Sequence, residues 1–306
     1  MWKLEKRGIA LLITVLFVMA ITVAIGIGLK QVKEASWHVE NENFMLQTST
    51  TLEDVLNILK TSKELDMIVQ EKSVEGFFAF LSSVSFIPFE NSGMKVSIKI
   101  NSARKKFNPN SLIENNNTAN IATTNALTQY MLSNNIRAEY VNILLDTMGG
   151  IKEDMSYNSA IFNEKPSLFR DFITSSKHLN EVNDFYMQSY HDNSLKNINF
   201  ENLFYFTKDK SSKIDLNYAT SQTWQMMLGC DISRAEQLTL GGGGYTLLES
   251  LDLSEEEKKA LSMFKTSYFE PYLDVSVEIS QNSQNAKIEF EYDMSTKKGS
   301  NFVYEI

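Results

Sequence analysis

Three acidic side chains lie close together near the middle of the chain, just after the pair Leu144 and Leu145. They are Asp146, Glu153 and Asp154. Carboxylate oxygens are ligands that calcium prefers, and the ion takes about six to eight oxygen ligands. The segment lacks the ligand spacing of an EF-hand loop. Two interpretations therefore stay open, a calcium site and an ordinary solvated acidic loop.

Residue patterns of known catalytic sites are absent from the sequence. Its three histidines, His38, His178 and His191, form no H-E-x-x-H motif, and there is no G-x-S-x-G motif. The run Gly241–Gly244 lacks the lysine of a phosphate-binding loop, so we interpret it as a flexible turn between helical segments. Cys230 is the only cysteine, which excludes an intrachain disulfide and is more typical of a small core residue than of a nucleophile. We therefore expect a protein that is not an enzyme.

The N-terminus joins a short basic segment to a long apolar one. Lys3, Lys6 and Arg7 precede Gly8, and the 21 residues from Ile9 to Leu29 carry no charge. At a rise of about 1.5 Å per residue, a helix of this length crosses a hydrocarbon core of about 30 Å. The positive-inside rule keeps the basic end in the cytoplasm. The sequence thus predicts a single-pass membrane protein whose C-terminal part lies beyond the cytoplasm.

The junction between Gly8 and Ile9 admits two interpretations. Basic residues before an apolar helix also set the topology of permanently anchored proteins. A basic leader that ends in glycine directly before an apolar helix is instead typical of a prepilin, from which Met1 to Gly8 would be removed. The fifth residue after such a cut is Ile13, where most pilin-type subunits carry glutamate. Because an unpaired charge in hydrocarbon is costly, this glutamate is dispensable for a subunit with no neighbour above it.

The composition indicates a folded chain with an acidic net charge. Its 306 residues are 43% hydrophobic and carry a net charge of -9. Binding of nucleic acid needs clustered lysine and arginine, so we expect no nucleic-acid partner. The segment 216–235, with Gly229 between two helical stretches, resembles a helix-hairpin-helix motif. In an acidic chain, this hairpin is expected only to pack against its neighbours.

Hydrophobic periodicity predicts where helices and strands lie along the chain. The stretch from Lys30 to Met67 contains neither glycine nor proline and predicts one long helix. Apolar residues recur within it at helical spacing, at Leu52, Val55, Leu56 and Leu59. The alternation from Met94 to Ile100 predicts a half-buried strand that begins a sheet.

The C-terminus repeats the strand pattern. The segments Leu273–Ile279 and Ala286–Tyr292 alternate on either side of the polar turn Gln281–Asn285, which predicts a hairpin. A turn through Lys298 and Gly299 then leads to a third strand over Phe302–Ile306. The segments between the first strand and this hairpin are mainly helical, at Asn120–Met148, Asn180–Tyr190 and Ser254–Phe264. The fold class is therefore α+β, a small antiparallel sheet with a large helical insertion.

Three local motifs and this organisation resemble the GspK family of minor pseudopilins from type II secretion systems. The motifs are Phe107–Leu112, Leu144–Asp146 and Lys213–Ala219. One departure is that Thr147–Gly150 replaces the aromatic and acidic run that follows the second motif in the family.

The resemblance implies a protein of the bacterial inner membrane, with its C-terminal domain in the periplasm, that supports pseudopilus assembly at the filament tip and protein secretion across the outer membrane. It implies cleavage by prepilin peptidase between Gly8 and Ile9, methylation of the new N-terminus, and calcium in the helical domain. The implied partners are the I- and J-type minor pseudopilins and the major pseudopilin. The segments follow as a leader (1–8), a transmembrane helix (9–29), a pilin-like helix with the first strands (30–110), an inserted helical domain (111–265) and C-terminal strands (266–306). Two alternatives are a minor pilin of a type IV pilus-like system and a single-pass periplasmic membrane-anchored protein.

Overall fold

The computed structural model describes residue 30 and residues 37–91, 93–152, 154 and 156–305. The α-helices are α1 (37–61), α2 (Lys63–Glu71), α3 (Val74–Val84), α4 (Ile121–Ser133), α5 (Glu139–Met148), α6 (Ile161–Glu164), α7 (Ser176–Tyr190), α8 (Phe200–Leu203), α9 (Ser221–Leu228), α10 (Ile232–Leu240) and α11 (Glu255–Leu261). The strands are β1 (Phe86–Asn91), β2 (Met94–Ser102), β3 (Ile214–Asp215), β4 (Thr266–Ser267), β5 (Tyr272–Gln281), β6 (Gln284–Asp293) and β7 (Lys298–Glu305). Helices and an antiparallel sheet together confirm the predicted α+β class.

Helix α1 buries the apolar stripe that its sequence predicts. Leu52, Val55 and Leu59 are buried in the same core as the sheet residues, and Leu56 packs against them. The prediction of one helix to Met67 is wrong, because α1 ends at residue 61 and α2 starts afresh. Ser62 has an extended backbone, and its hydroxyl oxygen accepts a hydrogen bond from the N–H of Leu65 at 3.3 Å. This N-cap satisfies a free donor of the new helix.

Five antiparallel strands form the main sheet in the order β1-β2-β5-β6-β7. Strand β2 pairs with β5, with Ile98 opposite Val277, so the whole insertion leaves and re-enters the sheet between neighbouring strands. Strands β5 and β6 form the predicted hairpin, and Gln281 lies opposite Gln284 across its turn. Asn282 has a φ of 56° in this turn, a conformation that asparagine tolerates better than most residues.

Both edges of the sheet differ from the sequence prediction. The sheet begins with β1 rather than with Met94, and β1 contains Pro88, which an edge strand accepts because proline has no N–H to donate. Strand β7 begins at Lys298, so this residue and Gly299 belong to the strand instead of the turn. The register of β7 shifts between its partners Glu289 and Glu291, as in a β-bulge. The six residues of β1 show no regular alternation of apolar and polar side chains, so this strand could not be predicted from the pattern.

Across its described residues, the protein has two hydrophobic cores, one for the sheet with the N-terminal helices and one for the helical insertion. One core joins α1, α2 and α3 to one face of the sheet and includes Phe44, Phe77 and Phe290. The other lies entirely between Phe107 and Phe264 and includes Trp224. The insertion thus buries its own apolar side chains and presents a separate folded body to the sheet.

The insertion is mainly helical, as predicted. Its helices α4, α5 and α11 fall within the expected segments, and α7 begins at Ser176, before the expected start at Asn180. Ser254 is the N-cap of α11 and forms a capping box with Glu257, in which each side chain accepts from the other residue's backbone N–H, at 3.2 and 2.9 Å. Strands β3 and β4 form a small parallel pair, and β4 directly precedes β5 in the sequence.

Candidate functional site

The predicted processing residues Gly8 and Ile9 lie outside the described residues, as does the apolar segment 9–29. In the part of the chain that is described, no helix is long and apolar enough to cross a membrane.

Asp146 occupies the last turn of α5 and is completely buried. Its Oδ1 accepts hydrogen bonds from the backbone N–H and the side-chain amide of Asn158, at 3.0 and 3.1 Å. Its Oδ2 accepts from the backbone N–H and the hydroxyl of Ser159, both at 2.7 Å. Lys152 places its ammonium 3.7 Å from Oδ1. The carboxylate therefore holds the segment that follows α5 against the end of that helix.

Of the other two predicted ligands, only Asp154 lies within the described residues. Asp154 is exposed, and its hydrogen bonds from Ser156 lower the pKa of its carboxyl. Glu153 lies outside the described residues. Among the residues that are described, no three histidine, cysteine, aspartate or glutamate side chains are grouped to hold a metal ion.

The first motif, Phe107–Leu112, contains two buried asparagines, Asn108 and Asn110, that bind loop backbone. Asn108 donates through Nδ2 to the carbonyl oxygens of Thr207 and Asp209, at 3.1 and 3.0 Å. Asn110 is fully buried, and its amide both donates to Ile173 O and accepts from Ile173 N, at 3.0 and 2.7 Å. These side chains pair with backbone groups of loop residues that lie outside the helices and strands. The motif therefore ties distant loops of the insertion together.

Asn217 in the third motif binds the glycine run. Its Oδ1 accepts from the N–H groups of Gly243 and Tyr245, at 2.9 and 2.8 Å. Its Nδ2 donates to the carbonyl oxygens of Tyr245 and Tyr268, at 2.8 and 2.7 Å. Gly242 packs so closely on the backbone of Asn217 that a Cβ there would overlap the carbonyl oxygen of Asn217. The predicted turn at the glycine run is confirmed. The local sequence did not predict that Asn217 holds this turn in place.

Asp215 lies two residues before Asn217 and is also completely buried. Burial raises the pKa of its carboxyl to about 7, against the lowering effect of hydrogen bonds from the backbone N–H groups of Glu270 and Asn217. Those two bonds measure 3.0 Å each. Burial also raises the pKa of the neighbouring Glu270.

We expect the contribution of Asp215 to the stability of the protein to fall as the pH rises towards 7. The folded state keeps the Asp215 proton from its ordinary pKa of 3.8 up to about 7, whereas the unfolded chain releases it. Over that interval, one proton changes the free energy of unfolding by up to about 1.4 kcal/mol per pH unit. Urea unfolding at several pH values should therefore show that the free energy of unfolding of the wild type falls relative to that of Asp215→Asn as the pH rises. Asp184→Asn, at an exposed position, is the control, and an unchanged slope in Asp215→Asn would contradict the assignment.

Arg104 connects the insertion to the sheet. Its guanidinium makes two hydrogen bonds to the carboxylate of Glu291 on β6, one of them from Nη2 at 2.8 Å. It also lies over the ring of Tyr272, at 3.9 Å from the centroid, and near that of Tyr205, at 5.0 Å. Burial alone lowers the pKa of Arg104, but the hydrogen bonds to Glu291 raise it above its ordinary value. Sequence reasoning missed this pair, because its members lie 187 positions apart.

An aromatic cluster lies at the same junction. Phe77 of α3 contacts Tyr218 and Phe269 edge to face, with ring centroids 5.4 and 5.6 Å apart. Such pairs add to the stabilisation from buried area. The insertion is therefore joined to the sheet by both an ion pair and aromatic packing.

The segment 216–235 forms a helical hairpin, as predicted. Helix α9 ends at Gly229 in the left-handed conformation, and Asp231 caps the start of α10. Trp224 and Leu238 of these helices are buried in the core of the insertion. Burial raises the pKa of the Cys230 thiol at the turn, the opposite of what activates a nucleophile.

Large apolar side chains are exposed along α1 and on β7. Trp37, Leu46 and Ile58 of α1 are 57%, 67% and 65% exposed, and Phe302 and Tyr304 of β7 are 38% and 54% exposed. Phe302 stacks on Phe290 at a centroid distance of 5.2 Å. The helix thus has one apolar face against the sheet and further apolar residues facing outward.

The geometry defines a class of α+β protein in which an N-terminal helix packs on an antiparallel sheet that carries a helical insertion. A chain of the solved GspK-GspI-GspJ complex from the type 2 secretion system of enterotoxigenic Escherichia coli is similar to this chain, with a TM-score of 0.45 and 13% sequence identity. The similarity covers 79% of this chain and 97% of that chain. No family model and no curated protein matches the sequence.

Proposed function

We propose that this chain is a minor pseudopilin at the tip of a type II secretion pseudopilus, where it supports pseudopilus assembly and protein secretion across the outer membrane. One combination supports the proposal above all others. A prepilin-like junction at Gly8 and Ile9 precedes, in the same chain, a helix packed on an antiparallel sheet that is interrupted by a helical insertion.

Charge and bulk support the proposed position at the tip. Ile13 offers no carboxylate to the N-terminal amine of another subunit, and such an amine is costly to leave unpaired in hydrocarbon. The insertion between β2 and β5 has its own core and adds a second folded body to the sheet domain. A subunit of this bulk would block the place above it in a thin filament and leave its lower side free.

The exposed apolar residues of α1 suit association with other helices of the same kind. Leu46 and Ile58 face outward from a helix whose opposite stripe is already buried. In this proposal, the I- and J-type minor pseudopilins lie below the subunit and connect it to the major pseudopilin. The apolar segment 9–29 holds it in the bacterial inner membrane before assembly, with the folded domain in the periplasm.

We expect prepilin peptidase to cut the chain after Gly8. Gly8→Phe should leave the precursor uncut, because the bulky side chain replaces the small residue at the junction. Intact-mass measurement should find Met1 to Gly8 on this variant and on wild-type protein from cells without the peptidase, but not on wild-type protein from cells that contain it. Gly26→Phe makes the same change inside the apolar segment, away from the junction, and should still be cut. Retention of the leader in every strain would contradict the proposal.

The same strains test the position of the subunit. In a Cys230→Ser background, Leu46→Cys on α1 should crosslink to other minor pseudopilins, and Gly8→Phe should abolish these crosslinks. Leu240→Cys, at a residue of the insertion that is 86% exposed, is the matched control and should not crosslink to them. Uniform crosslinks between copies of this chain, without enrichment of other minor subunits, would contradict the tip position.

A further inference from the structure

Asp146, Lys152, Asn158 and Ser159 form what we call the Asp146 cluster. Within it, the carboxylate of Asp146 has no lone pair left to bind a metal ion. An ionised carboxylate offers about four lone-pair sites on its two oxygens. Four N–H and O–H donors from Asn158 and Ser159 point at these oxygens at 2.7 to 3.1 Å. A calcium ion needs free oxygen lone pairs, and here they are already used. The residues at this place therefore do not fit a calcium ion.

The protein itself supplies the positive charge that this buried carboxylate needs. A buried carboxylate is stable only when it is paired or fully hydrogen-bonded. The ammonium of Lys152 lies 3.7 Å from Oδ1 of Asp146, with the lysine side chain 32% exposed and the aspartate fully buried. The same ammonium donates to the carbonyl oxygen of Ser156 at 2.9 Å. The ammonium thus lies between a carboxylate oxygen of α5 and a backbone oxygen of the segment that follows it.

A neighbouring tyrosine orients the backbone of Lys152. The hydroxyl of Tyr157 accepts from the N–H of Lys152 at 3.0 Å and donates to the carbonyl oxygen of Gly150 at 3.2 Å. Arg170 donates to the same hydroxyl at 3.0 Å. The Tyr157 hydroxyl therefore links the backbone at Gly150 and Lys152 to the side chain of Arg170.

We propose that the ammonium of Lys152 takes the place of a divalent cation beside Asp146, so that the segment after α5 is held in place without calcium. The inference is independent of the proposed function, since it concerns only what stabilises this segment.

Thermal unfolding of the full chain in detergent tests the proposal. The midpoint of the wild type should be the same in chelator, in millimolar calcium and in millimolar magnesium. Lys152→Met should lower the midpoint by about 2–4 °C in all three conditions, because it removes the counter-charge of a buried carboxylate. Lys165→Met is the matched control, because Lys165 donates to the carbonyl oxygen of Glu181 at 2.8 Å without neutralising a buried carboxylate. Its midpoint should change less than that of Lys152→Met.

Two results would overturn the proposal. A bound ligand raises the midpoint of the folded state it binds, so a calcium-dependent rise in the wild type that chelator reverses would show a metal site. Equal midpoints for Lys152→Met and Lys165→Met would show that the lysine does not replace a cation.

Discussion

Replacing Arg104 by methionine is expected to lower the free energy of unfolding by about 3–5 kcal/mol, the usual cost of removing one partner of a buried ion pair. The guanidinium side chain is 3% exposed and that of Glu291 13% exposed. Without Arg104, the carboxylate of Glu291 would stay at the junction between insertion and sheet with no cation against it. Urea unfolding, followed by circular dichroism, measures the change.

Two variants separate the pairing from simple loss of packing. In the double variant Arg104→Met with Glu291→Met, much of the stability should return, because no uncompensated charge remains. Lys99→Met breaks the pair of Lys99 and Glu278 in the same sheet, where both side chains are nearly half exposed, at 46% and 44%. Such a pair contributes about 0–1 kcal/mol. If Arg104→Met is no more destabilising than Lys99→Met, the junction does not depend on this ion pair.

Replacing Asn217 by alanine is expected to cost about 3 kcal/mol or more. The variant leaves the N–H groups of Gly243 and Tyr245 and the carbonyl groups of Tyr245 and Tyr268 without their side-chain partner. Each buried polar group left unsatisfied costs about 1–3 kcal/mol, and water entering the site would recover part of that. The loss should be largest at the glycine turn.

Urea unfolding and hydrogen exchange measure the effect of Asn217→Ala globally and locally. The amides of Gly243 and Tyr245 should lose protection more than those of β5. Asn116→Ala is the matched control, because Asn116 also accepts from a nearby backbone N–H, that of Thr118 at 3.1 Å, but at an exposed site. Surface changes of this kind stay within about 0.5 kcal/mol. An equal effect of the two substitutions would show that Asn217 does not hold the turn.

Much of the fold could be predicted from short-range patterns in the sequence. The alternation in β2, β5 and β6, the apolar stripe of α1 and the N-cap Ser254 all depend on residues within a few positions of one another. Such patterns determine local structure because side chains alternate along a strand and recur every three to four residues on a helix. The break at Ser62 and strand β1 escaped this reasoning, because Ser62 lies in a stretch without glycine or proline and β1 has no regular alternation.

The candidate site was predictable only as a set of residue types. Sequence alone indicated that Asp146 belongs to a motif, but its burial and its partners Asn158 and Ser159 determine whether it can accept a metal. In the same way, the glycine run predicted a turn, while Asn217 determines how that turn is held. A carboxylate or an amide has the same identity in water and in a core, and its chemistry depends on which donors surround it.

The sequence by itself determined the helical hairpin at Gly229 and the strands of the C-terminal hairpin, whereas processing at Gly8 and membrane insertion of 9–29 stay predictions. Only the tertiary structure determined the pairing of β2 with β5, the ion pair of Arg104 with Glu291 and the hydrogen bonds that occupy Asp146. The physical reason is distance along the chain. The first group rests on local periodicity and backbone preference, whereas the second joins residues that meet only after the insertion has folded on its own core and docked on the sheet.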